Sequence, residues 1–292
     1  MPASAALAGK APRPLSTGWV WILPPLLVLV GIFFYPLALI ARQAVTTEDG
    51  ERSLQPLADL IGSTFFQHAL LNTLEIAAAS TFGCLVFGFV LALVLSFVPF
   101  PGGRFVARLI DTVIALPTFL VTLAFTFIYG SAGILNAGLV ELFHLSVPPV
   151  DFLYSAWGVI LAEVTVFTPF VMRPLMAAFS LIDPAQIEVA SSLGARPFRI
   201  LRQIILPAAI PALLAGGSLC LLLTVNEFGI VLFIGAKGVI TLPLLIYDKA
   251  IQESDYTVAC AIAVINIVLS LSLFSLYRIV VTQIGARRAG LV

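Results

Sequence analysis

Charge is what this sequence has least of. Fifteen Lys and Arg and fifteen Asp and Glu make up 10% of its 292 residues, and the formal net charge is zero. Soluble domains carry about 25% charged residues, so most of this chain is not built to face water. A balanced charge offers no basic patch, and no nucleic-acid partner is expected. Cysteine and histidine are also sparse. Cys84, Cys220 and Cys260 stand alone in apolar runs, with no C-x-x-C and no Cys/His cluster. That argues for packing residues and against a disulfide or metal framework. His68 and His144 are equally isolated and read as loop residues. No G-x-x-x-x-G-K-[ST] exists, and the one Gly-Lys pair, Gly9-Lys10, is followed by Ala11 in a polar tail. A phosphate-cradling loop needs that pattern, so no nucleotide or other cofactor is expected, and nucleotide-driven work falls to another chain. The clustered nucleophile, base or metal ligands of a membrane enzyme are missing as well, and the chain reads as non-catalytic.

What is there is hydrophobic. Such residues make up 60% of the chain, and the mean hydropathy is +1.10. Crossing a hydrocarbon core about 30 Å thick takes about 20 helical residues. Six stretches are long enough, near 19–41, 69–98, 106–130, 153–180, 206–234 and 256–282. The reading is therefore an all-α integral membrane protein with six transmembrane helices over 19–282, between tails at 1–18 and 283–292. The first span opens with Trp19 and Trp21, an interfacial aromatic pair, and contains Pro24-Pro25, which should bend or restart it. It lacks a small-residue cleavage site and reads as retained.

Six spans put both termini on one side, and the basic residues say which. Lys10, Arg13, Arg104, Arg108, Arg173, Arg196, Arg199, Arg202, Arg278, Arg287 and Arg288 fall in one set of segments. The opposite set holds only Arg42, Arg52, Lys237 and Lys249. Both termini and the stretch 188–207 are thus expected in the cytoplasm, the chain being multi-pass. The outer loops hold most of the acids, among them Glu48, Asp49, Glu51, Asp59, Glu141, Asp151, Asp248, Glu253 and Asp255. They are too short for a domain but long enough for a docking surface.

The stretch "EVASSLGARPFRILRQIILP", residues 188–207, breaks the apolar pattern with three arginines, a glycine and two prolines. Just before it, Asp183 is followed by Pro184 and, three residues on, by Gln186. That is an N-cap, a proline at the first helical position and a capping-box-like partner. Gly194 suits a left-handed C-cap, and Pro197 can open a second helix carrying Arg199 and Arg202. The prediction is a helix–turn–helix elbow over 183–207, with a small-residue strip at Ala190 and Gly194. Physics alone allows a plain amphipathic connector whose arginines anchor at lipid headgroups.

The stretch also resembles the E-A-A motif of permease subunits in binding-protein-dependent ABC importers. That motif reads Glu-Ala-Ala, three residues, Gly, nine residues, Ile, one residue, Leu-Pro. Glu188, Ala190, Gly194, Ile204, Leu206 and Pro207 fall at that spacing, and Val189 replaces the middle alanine. The resemblance runs from about residue 65 to 282. It includes "LNTLEIAAAS" in the second span, "ALPTFLVTLAFTFIYG" in the third and "NEFGIVLFIGAKGVITLPLLIYDKA" after the fifth. The last segment looks most like the 2-aminoethylphosphonate permeases, with sulfate, molybdate, ferric-iron and polyamine importers as the alternatives for substrate. The family implies a type I, MetI-like fold in which two permease subunits form one pathway. It implies a coupling elbow seated in ATP-binding cassette subunits, and a separate periplasmic solute-binding protein. The phosphonate resemblance favours a second permease that is related but distinct. The resemblance also implies the inner membrane of a bacterium, whose lipid covers the rest. The competing class is a self-contained secondary transporter driven by an ion gradient. No internal repeat or chain of intramembrane acids and bases favours it.

A few polar residues sit inside the spans, where an unpaired charge costs several kcal/mol. For Glu75 and Glu163 the plainer reading is glue between helices, with Asn72, Thr73, Thr165 and Thr168 as partners. Asn226 and Glu227 lie in the outer half of the fifth span, and the adjoining Phe228 could form a constriction with Gly229, so these point to the pathway or the dimer seam. No Lys or Arg lies deep in any span, which leaves this chain without a fixed cationic site for an anionic solute.

Overall fold

A computed structural model describes residues 18–47 and 50–288 of the chain. The tails carrying Lys10 and Arg13, the outer acids Glu48 and Asp49, and the last residues of the C-terminal tail lie outside them. The first span is α1 (Gly18–Leu29), a π-helical turn over Val30–Phe34 and α2 (Tyr35–Gln43). Pro24-Pro25 sits inside α1. A short α3 (Gln55–Gly62) precedes α4 (Thr64–Phe97), whose 34 residues make a rod about 50 Å long. His68, expected in a loop, stands in the second turn of α4, because the helix starts five residues earlier than the apolar run suggests.

The third span expected over 106–130 is broken, and the apolar stretch long enough to cross lies instead over Thr118–Phe143. α5 (Gly103–Ala115) ends before Leu116-Pro117, and α6 (Thr118–Tyr129) resumes after it. Pro117 lacks the N–H for a helical bond and pushes its predecessor into an extended conformation, which Leu116 adopts at ψ 135°. After α7 (Ile134–Phe143), His144 takes a left-handed conformation at φ +50° just past the helix end. The chain then enters α8 (Ala156–Phe179), α9 (Pro184–Ser192), α10 (Pro197–Ile200), a π-helical turn over Leu201–Ile205 and α11 (Leu206–Val225). Beyond a break come α12 (Gly229–Ile234), α13 (Leu242–Tyr247), a π-helical turn over Asp248–Gln252, and the long α14 (Tyr256–Arg288). Among the described residues, six helical stretches are long and apolar enough to cross a membrane.

α8 is the hub, packed between α4 and α11. It buries 61% of its most apolar stretch, against 33% or less for the other five. Inside lipid the hydrophobic effect no longer drives helices together, so close backbone approach does. The sequence supplies small residues for it. A Cβ on Gly88 of α4 would lie 2.8 Å from the Val171 Cβ, and one on Gly216 of α11 would lie 2.9 Å from the Val171 Cα. The two cysteines at this seam act as small packing groups. The Cys84 and Cys220 thiols point at the Val164 and Phe167 carbonyls of α8.

Loops are pinned by single amides. Asn72 donates to the Gly238 and Ile240 carbonyls, and Thr73 accepts from the Leu242 N–H at 2.8 Å. Asn136 donates to the Gly130 and Val150 carbonyls and accepts from the Val150 N–H. These bonds satisfy loop backbone that has no ladder or helix to join. The first span stays at the periphery, touching α14, where Gln43 donates to the Thr257 hydroxyl at 3.1 Å.

Candidate functional site

Two places stand out, the elbow and the break between α11 and α12. At the elbow, the Asp183 carboxylate accepts from the Ala185 N–H at 2.9 Å, and Pro184 opens α9. Gly194 has φ +81°. Its N–H reaches the Ser191 carbonyl at 2.9 Å, and the Ala195 N–H reaches the Ala190 carbonyl at 3.0 Å. That pair of bonds is the Schellman closure, which uses a residue without a Cβ at the left-handed position. Gln186 contributes only its backbone N–H, to the Asp183 carbonyl, and its side chain makes no capping bond. The cap thus has one side-chain bond where a full box has two.

The first arm of the elbow stands off the bundle, with α9 meeting chiefly α10 at its own turn, whereas Ile200, Leu201 and Ile205 of the second arm pack against the core. Leu181 is 86% exposed, Leu193 83% and Phe198 72%. Glu188 and Gly194 are exposed, Ala190 is half-buried, and a Cβ on Gly194 would meet nothing within 4 Å. Ile204 and Leu206 are half-buried where the π-helical turn joins α11, and Pro207 faces outward beside them. Large apolar side chains are thus grouped with a carboxylate on this exposed arm.

At the break, α11 ends on Val225 and Asn226 leaves helical geometry at ψ 9°. The Asn226 amide donates to the Leu222 carbonyl at 2.8 Å and to the Ser270 hydroxyl at 3.2 Å, and its oxygen accepts from Asn266 at 3.0 Å. Glu227 accepts from the Ile230 N–H at 2.9 Å and so starts α12. Phe228 packs on Tyr247 with ring centroids 5.1 Å apart. The sequence gives no role to Asn266 and Ser270. The available signal is a lone amide and a hydroxyl in the apolar run of α14.

The glutamates deeper in the spans differ from their expected bonding. Glu163 is fully buried, and neither carboxylate oxygen has a partner among the described residues. Glu75 is exposed on α4, with no hydrogen bond or ion pair among the described residues. Their expected partners are engaged elsewhere. Thr165 and Thr168 donate back to their own helix, as hydroxyls one turn on can do, and Asn72 and Thr73 hold the loop between α12 and α13. Arg173 lies inside α8 and pairs with Asp111 of α5.

Comparison with known proteins decides the family. Residues 84–285 match the family described as "Binding-protein-dependent transport system inner membrane component". The chain belongs to this family. A chain of Salmonella paratyphi A named for a 2-aminoethylphosphonate transport system permease protein, PhnU, is 63% identical over 275 residues, 94% of each chain. The fold is shared with a solved bacterial ABC transporter involved in import of the acidic polysaccharide alginate. That match has a TM-score of 0.79 at 19% identity and covers 91% of this chain and 95% of the other. A second structure, of the bacterial alginate transporter in complex with an alginate pentasaccharide-bound periplasmic protein, matches with a TM-score of 0.76 at 20% identity. It covers 91% of this chain and 94% of the other. The resemblance carried by the 188–207 spacing is thus met at the level of family and fold. This permease is a multi-pass inner-membrane protein of the class of transport subunits.

Proposed function

We propose that this permease is a transmembrane subunit of an ATP-driven importer of 2-aminoethylphosphonate. The observation that carries the substrate is the near-full-length likeness, at 63% identity, to the Salmonella chain named for that solute. The elbow supports the coupling. α9 and α10 present Leu193, Phe198 and Glu188 on a free surface fixed by the Gly194 turn, suited to a cleft on ATP-binding cassette subunits that hydrolyse the nucleotide this chain has no loop to hold. A second, related permease completes the pathway, and a periplasmic protein delivers the solute. The pentasaccharide-bound periplasmic protein of the alginate system supports that last partner.

Growth tests the substrate. Deleting the gene should abolish growth on low concentrations of 2-aminoethylphosphonate as phosphorus source and leave growth on phosphate intact. Unimpaired growth in a strain with no duplicate system would move the assignment to another anion such as sulfate. Topology is a separate expectation, from the eleven-to-four excess of basic residues in one set of segments. Reporter fusions after Arg104, Arg199 and Arg288 should read cytoplasmic, and those after Glu51, Asp151 and Lys249 periplasmic. A periplasmic signal at Arg199 would overturn the docking of the elbow along with the orientation.

A further inference from the structure

A groove runs along the bundle where α5 leans on α8 and barely touches α4. Phe87 and Leu91 of α4, Ile110 and Val113 of α5, and Leu161 and Pro169 of α8 line it, and its volume is about 290 Å³. Its two side-chain hydroxyls, on Thr165 and Thr168, donate to the Leu161 and Val164 carbonyls. The wall is otherwise apolar, and α4 and α8 are spans, so the groove lies at hydrocarbon depth. Eight residues separate Leu161 from Pro169, about 12 Å of helix, which fits inside one leaflet's share of the core, about 15 Å. Spread over that length, the volume leaves a cross-section of about 25 Å², against about 80 Å² for a helix about 10 Å across. One alkyl chain fits there and a helix of another subunit does not.

A second hollow, of about 570 Å³, lies at the turn between α4 and α5, with Leu95, Ser96, Gly103 and Arg104 on its wall. The two hollows share helix faces. Phe87, Leu91 and Leu95 recur every four residues on α4, and Gly103, Ile110 and Val113 recur at seven and three on α5. Together they make one line, apolar within the spans and polar where the chain leaves them. Arg104 is exposed, and the ion pairs among the described residues are Arg173–Asp111 and Lys249–Glu253. Asp111 thus neutralises Arg173 beside the groove, and the charge of Arg104 has no carboxylate partner. We propose that this line holds one anionic phospholipid, with an acyl chain in the groove and the headgroup phosphate on Arg104. Basic hollows between helices at a membrane surface bind such headgroups. The lipid fills a wedge that protein leaves open, and it braces α5 against α4. The site does not depend on which solute the importer moves.

The test titrates the complete importer, purified in detergent and stripped of lipid, with dioleoylphosphatidylglycerol, and counts retained lipids by native mass spectrometry. The wild type should hold one more phosphatidylglycerol per copy of this permease than Arg104→Glu, whose affinity should fall about tenfold, while Arg104→Lys should stay within about twofold. Thr165→Phe fills the groove from an exposed position and should remove the same lipid with Arg104 intact. Leu271→Phe, on an exposed flank of α14, should change nothing. Dioleoylphosphatidylcholine should bind at least tenfold more weakly, and glycerol 3-phosphate should not compete. In native membranes, Phe87→p-benzoylphenylalanine should crosslink to phospholipid on irradiation. Retention unchanged in Arg104→Glu or in Thr165→Phe, displacement by glycerol 3-phosphate, or a crosslink to the second permease in place of lipid each overturns the site. Uptake of 2-aminoethylphosphonate by the wild type is a separate measurement, and its failure would overturn the substrate and leave the lipid site standing.

Discussion

Gly194→Val is expected to uncouple the importer while leaving this permease in the membrane at normal levels. Gly194 holds φ +81°, closes α9 through the bonds from its own N–H to Ser191 and from the Ala195 N–H to Ala190, and has open space where a Cβ would go. The penalty is therefore conformational and not steric against neighbours. A side chain in this left-handed region costs about 1–2 kcal/mol, and a β-branched one resists it further. The cheapest relief is to unwind the Schellman turn and re-aim α10. The spans are held chiefly by packing among α4, α8 and α11, away from α9 and the Gly194 turn, so insertion should be unchanged. Association with the ATP-binding subunits and binding-protein-stimulated hydrolysis should fall together, by tenfold or more. Glu188→Lys should act in the same direction by reversing charge on the docking face, and Ser191→Ala should be mild. Co-purification of the ATPase with each variant, beside stimulated hydrolysis in proteoliposomes, decides it. Full association and full stimulation in Gly194→Val would reduce the elbow to a connector.

Gly88→Val is expected to do the opposite, lowering the amount of folded permease. Here φ is ordinary and the space is not. The first carbon added would stand 2.8 Å from the Val171 Cβ and 3.3 Å from the Met172 backbone nitrogen. The obstacle is partly α8 backbone, so no rotamer change removes it, and α4 must move off the hub. Overpacking a well-filled core costs about 1–3 kcal/mol, and the cost here should reach the upper end because a valine adds three carbons. Membrane abundance should drop several-fold, and thermal unfolding of the purified complex should shift down by several degrees. Gly138→Val is the matched control, since a Cβ at Gly138 meets nothing within 4 Å. Similar losses in both variants would mean that the α4–α8 contact is not what Gly88 protects.

Asp183, Pro184, Gly194 and Pro197 could be read in advance because each acts within a few residues of itself. The cap, the turn and the second helix follow from local backbone chemistry, and the structure has all three. The same locality explains the miss at Gln186, where only the backbone took part. The glutamates were harder. Glu75 and Glu163 look alike in sequence, each a single acid in an apolar run, yet one is exposed and the other fully buried and unpartnered. Their helix faces are set by which neighbours α4 and α8 choose, and no property of the residues themselves encodes that. Asn266 and Ser270 are illegible in the sequence for the same reason, since their partner Asn226 is 40 and 44 residues away.

The sequence by itself determined that this chain crosses a membrane, roughly where, and that a capped elbow interrupts it. Length, hydropathy and turn chemistry are properties of a segment, and lipid enforces them without help from the rest of the fold. It also determined the family, because six residues at fixed spacing form one local structure. Only the tertiary structure decided that α8 is the hub, that α11 breaks at Asn226, and that Asn266 and Ser270 of α14 close on that break. Those facts depend on helices packed from distant parts of the chain, where small residues permit contact but do not name the partner.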